Sequence, residues 1–141
     1  MVKLRYLLDT NALAEPVKAQ LNARFMARLA ENRDSCAIAS VTWHEALYGM
    51  ARLAPGARQK ALSHYLHDVV AATLPILPYD DAAAVWHANV RAERERVGRP
   101  LAFADGQIAA IAQVHGLVVV TANVSDFSGL DGIVVENWAE S

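Results

Sequence analysis

The chain has 141 residues, 54 % of them apolar and 20 % charged, a balance that suits one globular domain and excludes a disordered chain. Its longest apolar runs are too short to span a membrane, its opening residues lack the pattern of a secretory leader, and its single cysteine, Cys36, points to a reducing cytoplasm. A net charge of −2 excludes a generic polyanion binder, yet residues 1–99 carry all 13 Lys and Arg with ten Asp and Glu, whereas residues 100–141 carry five acids and no Lys or Arg.

In chain order, Leu4-Arg5-Tyr6-Leu7-Leu8 is a short apolar run closed by Asp9-Thr10-Asn11, the pattern of a buried strand ending in a helix cap. Leu21, Phe25, Met26 and Leu29 recur at helical spacing and predict a helix from about Val17 to Glu31. Ser35 to Ala39 reads as a second strand with Cys36 as a small buried residue. Ser40 or Thr42 then caps a helix running towards Leu53, which Pro55-Gly56 stops. A further helix carries Leu62, Leu66, Val69 and Val70, and Thr73 to Leu77 is a third strand. Asp80 or Asp81 opens a helix through Val85, Trp86, Val90 and Arg94, broken by Gly98-Arg99-Pro100. Phe103 to His115 is an Ala-rich helix ended by Gly116, followed by the strand Leu117-Val118-Val119-Val120 and a last strand at Ile133-Val134-Val135. Alternating strands and helices predict a three-layer α/β/α sandwich around a mainly parallel sheet, with residues 1–141 as one domain. In such sheets, sites form beyond the carboxyl ends of the strands.

Four carboxylates fall at or near those ends. Asp9 follows the first strand and Asp126 follows Val118–Val120. Asp105 lies in the first turn of a helix and shares a face with Ile108, Ala109 and Ala112. Glu45 sits in a helix rich in large apolar residues, where a carboxylate is costly unless something positive meets it. Each has a plain alternative role: a helix cap at Asp9 or Thr10, a partner of the helix dipole at Asp105, a solvated helix residue at Glu45, a turn residue at Asp126. Together they would repel one another unless a cation joins them. Carboxylates without histidine or thiolate favour Mg²⁺ or Mn²⁺ over Zn²⁺, and such an ion supports phosphodiester hydrolysis.

Leu7-Leu8-Asp9-Thr10-Asn11, Ser40-Val41-Thr42-Trp43-His44-Glu45-Ala46-Leu47-Tyr48-Gly49, Ala104-Asp105-Gly106-Gln107-Ile108-Ala109-Ala110 and Val120-Thr121-Ala122-Asn123-Val124-Ser125-Asp126-Phe127 resemble the four signature segments of PIN-domain proteins, in their order and spacing. The resemblance is to VapC-type toxins and the related FitB-like proteins, and it runs over essentially the whole chain to Glu136-Asn137-Trp138. It implies a three-layer α/β/α fold and Mg²⁺- or Mn²⁺-dependent endoribonuclease activity on RNA, often a tRNA, with inhibition of translation. It also implies a VapB-type antitoxin, contact with operator DNA only through that antitoxin, and a homodimer. By position, it makes Asp9, Glu45, Asp105 and Asp126 the metal-binding acids, with Asp9 and Asp105 as main ligands. Some relatives place the fourth acid at the position of Asn123 and others at that of Asp126; Asp126 is taken as the acid and Asn123 as a polar supporter. Thr10, Asn11 and Thr121 would orient the acids or their waters.

Arg91, Arg94, Arg96 and Arg99 precede the Asp105 helix and could meet an RNA backbone, although Glu93 and Glu95 alternate with them as on a solvated face. His44, His64, His67, His87 and His115 lack metal-ligand spacing and are expected to be exposed or partly packed, with His44, beside Glu45, the one placed to touch substrate. Trp43, Tyr48, Trp86 and Phe103 are expected in the core or an interface. The residues directly after the first strand exclude two rival chemistries. A haloacid-dehalogenase-type phosphatase needs an acid where Asn11 stands, and a Rossmann nucleotide site needs a Gly-rich turn in place of Asp9-Thr10-Asn11-Ala12. The remaining alternative is a non-catalytic FitB-like protein that acts with its antitoxin in DNA-bound regulation.

Overall fold

A computed structural model describes residues 3–140. Five strands, β1 (Tyr6–Leu8), β2 (Cys36–Ala39), β3 (Ile76–Leu77), β4 (Val118–Val120) and β5 (Val135–Glu136), form one sheet in the order β3-β2-β1-β4-β5. Every pairing is parallel, with Leu8 opposite Ile38 on one side and Val120 on the other. Successive strand residues point to opposite faces, so each strand feeds two cores. Leu7, Ala37, Ala39 and Val119 pack beneath α7 (Phe103–His115) with Ile108 and Ile111. Tyr6, Leu8, Cys36, Ile38 and Val120 pack on the other face with Leu13, Phe25, Leu66, Val70 and Trp138. Burial on both faces is what a parallel sheet requires, and it yields the expected three layers.

The remaining helices are α1 (Thr10–Ala14), α2 (Ala23–Asn32), α3 (Ser40–Ala51), α4 (Ala57–His64), the short α5 (Ala71–Thr73) and α6 (Asp81–Arg96). Asp9 caps α1 through a 3.1 Å bond from the Ala12 N–H, and Asp80, rather than Asp81, caps α6 through Ala83 at 2.9 Å. Gly116 ends α7 in the left-handed region at φ 66°, where a side chain would be strained.

Several boundaries differ from the sequence expectation. The helix predicted from Val17 begins at Ala23, because Asn22 caps it through the Phe25 N–H at 2.9 Å, and Leu21 is left exposed ahead of the cap. Neither Ser40 nor Thr42 caps α3; Ala39 occupies the cap position with no side-chain bond, and Thr42 is buried with its hydroxyl unpartnered. Between α4 and α5 the chain widens into a π-helical stretch, Tyr65–Val70, which turns Leu66 and Val70 inward. Tyr65 begins it and donates to the Leu13 carbonyl at 2.6 Å; burial pushes its phenol up to about 12. Strand β3 keeps only two of the predicted residues, and the last strand is shifted to Val135–Glu136.

Trp138 closes the second core. It is 1 % exposed, meets Tyr6 edge-on at 5.0 Å, packs on Phe25 at 5.9 Å, and donates from Nε1 to Glu136 at 2.9 Å. Replacing Trp138 with Ala should cost about 3–5 kcal/mol in urea unfolding, and Phe should recover part of that loss by refilling the cavity. Equal losses in both variants would assign the stability to the indole hydrogen bond instead.

Candidate active site

The crossovers run one way from β1 to β2 and β3 and the other way to β4 and β5, so the chain reverses between β1 and β4. A crevice opens at the carboxyl ends of such a strand pair. Asp9 leaves β1 there, tied to β4 by its N–H on the Val120 carbonyl at 3.0 Å, and Thr121 leaves β4 beside it.

Asp9 is only 6 % exposed, and burial pushes its carboxyl above the ordinary value. Donors from Thr121, Ala12 and Asn11 act the other way. Asn11 Nδ2 reaches Asp9 Oδ2 at 3.1 Å and Thr121 Oγ1 at 3.3 Å, while Asn11 Oδ1 accepts from the Ala122 N–H at 3.0 Å. Asn11 thus bridges the ends of β1 and β4. The Thr121 hydroxyl also accepts from the Asn123 N–H at 3.0 Å, which leaves its own proton for Asp9. Asn123 contributes backbone rather than a side-chain bond to this network, and its carbonyl holds the Asp126 N–H at 3.0 Å. Glu45, half-buried on α3, accepts from the Thr10 hydroxyl at 3.0 Å.

Asp105 lies in the first turn of α7, half-buried. Burial pushes its carboxyl up, and the charges of Asp126, Asp9 and Glu45 push it further in the same direction. Asp105 therefore stands within reach of the charges of the other three sequence-predicted acids, although Asp126 itself is exposed on the turn Val124–Phe127. Among the described residues none of the four joins an ion pair, so their charge is uncompensated by the protein. Among the described residues no three His, Cys, Asp or Glu stand close enough together to hold a metal ion by themselves. Uncompensated carboxylates spread around an open crevice fit a hard cation that keeps most of its waters, as Mg²⁺ does.

The arginines divide. Arg94 is spent on structure, with Nε on the Arg99 carbonyl at 2.8 Å and Nη1 on the Ser128 carbonyl at 3.0 Å. Arg96 pairs with Glu93, and Arg91 pairs with Glu95 at 3.3 Å while lying over the Phe103 ring at 5.2 Å. Arg99 is exposed. Trp43 and Trp86 pack against the cores as expected, but Tyr48 and Phe103 are 57 % and 53 % exposed. His87, expected to be exposed or partly packed, is 2 % exposed, and burial with the charge of Arg91 lowers its tendency to protonate. Its spacing held the signal: His87 lies four residues after Ala83 and three before Val90, on the buried stripe of α6, whereas Val85 faces solvent.

The family model that matches the chain is the PIN domain, over residues 6–132. The chain belongs to the PIN-domain family. Among relatives, this PIN domain is 33 % identical to Toxin FitB of Neisseria gonorrhoeae, with 94 % of this chain and 97 % of that one covered. It is 32 % identical to the tRNA(fMet)-specific endonuclease VapC of Shigella flexneri, over 96 % and 99 % of the two chains. A solved structure of FitAB bound to an IR36 DNA fragment superposes with a TM-score of 0.87 at 31 % identity, covering 96 % of each chain. Among the described residues no helix is long and apolar enough to cross a membrane.

The raised carboxyl of Asp105 fixes the sign of a stability test. A carboxyl whose folded value lies above its unfolded one favours the fold at acid pH, and that advantage is lost as pH rises through the raised value. At pH 7 without divalent ions, Asp105→Asn should therefore raise the thermal midpoint, by on the order of a few degrees. The gain should shrink as pH falls through the carboxylate range. A midpoint unchanged at pH 7 would show that the repulsion at Asp105 is already relieved.

Proposed function

We propose that this PIN domain is a divalent-metal-dependent endoribonuclease, the VapC-type toxin of a toxin–antitoxin pair, which cuts RNA, with tRNA as the substrate class, and so arrests translation. The observation that carries it is the convergence of the charges of Asp126, Asp9 and Glu45 on Asp105, with no cationic side chain paired to any of the four among the described residues. Asp9 and Asp105 would hold Mg²⁺ or Mn²⁺, with Glu45 and Asp126 holding its waters or a second ion. The ion supplies Lewis-acid polarisation of a phosphodiester and a water of lowered pKa.

The protein's own groups supply orientation. Thr10 fixes Glu45 by one hydrogen bond, so the carboxylate has one free oxygen to turn toward the crevice. Asn11 and Thr121 fix Asp9, and the Ala12 N–H holds its other oxygen. Asn123 serves the same turn through its backbone, which sets where Asp126 stands. Arg99, exposed on the loop beyond α6, is the candidate for the RNA backbone; among the described residues Arg91, Arg94 and Arg96 are already engaged.

The partners follow from the relatives. A VapB-type antitoxin would neutralise the toxin, which would act as a homodimer and touch operator DNA only through that antitoxin; the solved FitAB complex with a DNA fragment supports a partner of this kind. That complex also favours a second reading, in which the protein is a non-catalytic FitB-like regulator.

Purified protein incubated with a tRNA pool and Mn²⁺ should release fragments with 5′-phosphate and 3′-hydroxyl ends, and EDTA should stop it. Asp9→Asn and Asp105→Asn should each lower the rate roughly 100-fold or more. Asn is chosen at position 9 because it also caps helices, which separates lost chemistry from lost folding. Cleavage that is absent at every Mn²⁺ concentration, with metal-independent operator binding by the antitoxin complex, would replace the nuclease with the regulator.

A further inference from the structure

His87 lies outside the acidic cluster, buried on α6. Its Nδ1 is 2.8 Å from the Tyr79 hydroxyl, and its Nε2 has no partner among the described residues. The ring is pressed against Gly106. A Cβ built there would lie 2.2 Å from Nε2, 2.7 Å from Cδ2 and 3.0 Å from Cε1, so only glycine admits this contact. On the other side of the same helical turn, Phe103 meets the His87 ring at 5.0 Å and 54°. Phe103 and Gly106 flank Asp105 in the first turn of α7. The ring therefore grips that turn both before and after the carboxylate.

A purely packing role would favour a different residue. Leu or Phe could fill the space without burying an unpartnered nitrogen, which is unfavourable. What histidine adds is the tether: the bond to Tyr79 fixes the angle of the ring about its own axis, which an apolar side chain leaves to packing. Tyr79 sits ahead of α6, beyond β3, so the tether links the ring to the sheet side of the molecule. The cheaper tautomer has Nδ1–H donating to the Tyr79 oxygen. It turns the Nε2 lone pair, rather than a stranded N–H, toward the Gly106 Cα hydrogens.

We propose that His87 is a positioning residue for Asp105: tethered by Tyr79 and seated against Gly106 and Phe103, it fixes the first turn of α7 and so aims the Asp105 carboxylate into the crevice. The proposal rests on the assignment of Asp105 to the metal site.

Tyr79→Phe removes the tether and leaves the ring, the glycine and all four acids in place. The full-length protein carrying it should keep its thermal midpoint within a few degrees. Its affinity for Mn²⁺, read by the EPR signal of the free ion, should fall about tenfold. Its rate of RNA cleavage should fall in kcat while KM stays near wild type. His87→Phe should behave in the same way. Gly106→Ala should lose stability and Mn²⁺ binding together, and the double change His87→Ala with Gly106→Ala should regain the fold but not the affinity. Nitrogen chemical shifts of His87 should show Nε2 unprotonated at neutral pH. Wild-type Mn²⁺ affinity and kcat in Tyr79→Phe and His87→Phe, alongside lost binding in Asp105→Asn, would overturn the positioning role and leave the metal site standing. Unchanged Mn²⁺ binding in Asp105→Asn would overturn both.

Discussion

Four carboxylates that repel one another are held at one crevice, and every other feature of the site depends on how the fold restrains them. The restraint begins with the parallel pairing of β1 and β4. Leu8 lies opposite Val120, and the Asp9 N–H continues the ladder to the Val120 carbonyl at 3.0 Å. Ionising a buried carboxyl near others disfavours the fold. The offset comes from apolar burial on both faces of a short sheet, which leaves Leu7, Ala37, Ile38 and Val119 entirely inaccessible. Asn11 then ties the two strand ends together by side-chain bonds, so that the crevice is closed beneath the acids by polar contacts that need no charge. A metal-binding function makes physical sense of this construction. The fold bears the strain of concentrated charge without the ion, and an ion would relieve it.

The features that depend on local chemistry were readable in the sequence. Asp9 at the end of a run of apolar residues, Gly116 after an apolar helix and the all-valine strand Val118–Val120 each carry their own signal, and the observed boundaries of α7 coincide with those predicted. The two faces of the sheet were also implied, since unbroken apolar strands need cover on both sides. What could not be read depends on contacts distant in sequence. Asn22 caps α2 although Leu21 continues the helical spacing, and the Nδ2 of the same residue bonds the Ala139 carbonyl at the other end of the chain. The π-helical turn at Tyr65 is anchored by Leu13, which lies 52 residues away. The burial of His87 was readable from its place on the stripe of Ala83 and Val90, but its contact with Gly106, nineteen residues on, was not.

The charge asymmetry of the chain acquires a structural meaning. The segment from residue 100 onward, which has no Lys or Arg, supplies Asp105 and Asp126, and Asp105 feels the charges of Asp9 and Glu45 from the first half of the chain. Arginines near this region are mostly directed at carbonyls, at glutamates or at the Phe103 face rather than at the acids. An arginine placed among the acids would pair with them and lower their carboxyl values, and the crevice would then no longer favour a cation. Keeping basic side chains away from the acids leaves the centre anionic, as a metal site would require.

The acids are not equally buried, and the difference sets how each is held. Asp9, the most enclosed, has the fullest set of neutral donors, from Ala12, Asn11 and Thr121. Those bonds favour its ionised form and partly counter the cost of burial. Asp105 is more open and has no comparable donors, yet it feels all three of its acidic neighbours. Its position therefore cannot be set by hydrogen bonds to its own oxygens and must come from the helix that carries it. That helix is short of a side-chain cap at Ala102, so its first turn is the end most in need of outside support. A ring wedged against the glycine that follows Asp105 supplies that support without placing any charge or donor near the carboxylate. The oxygens that would meet a cation are left unengaged.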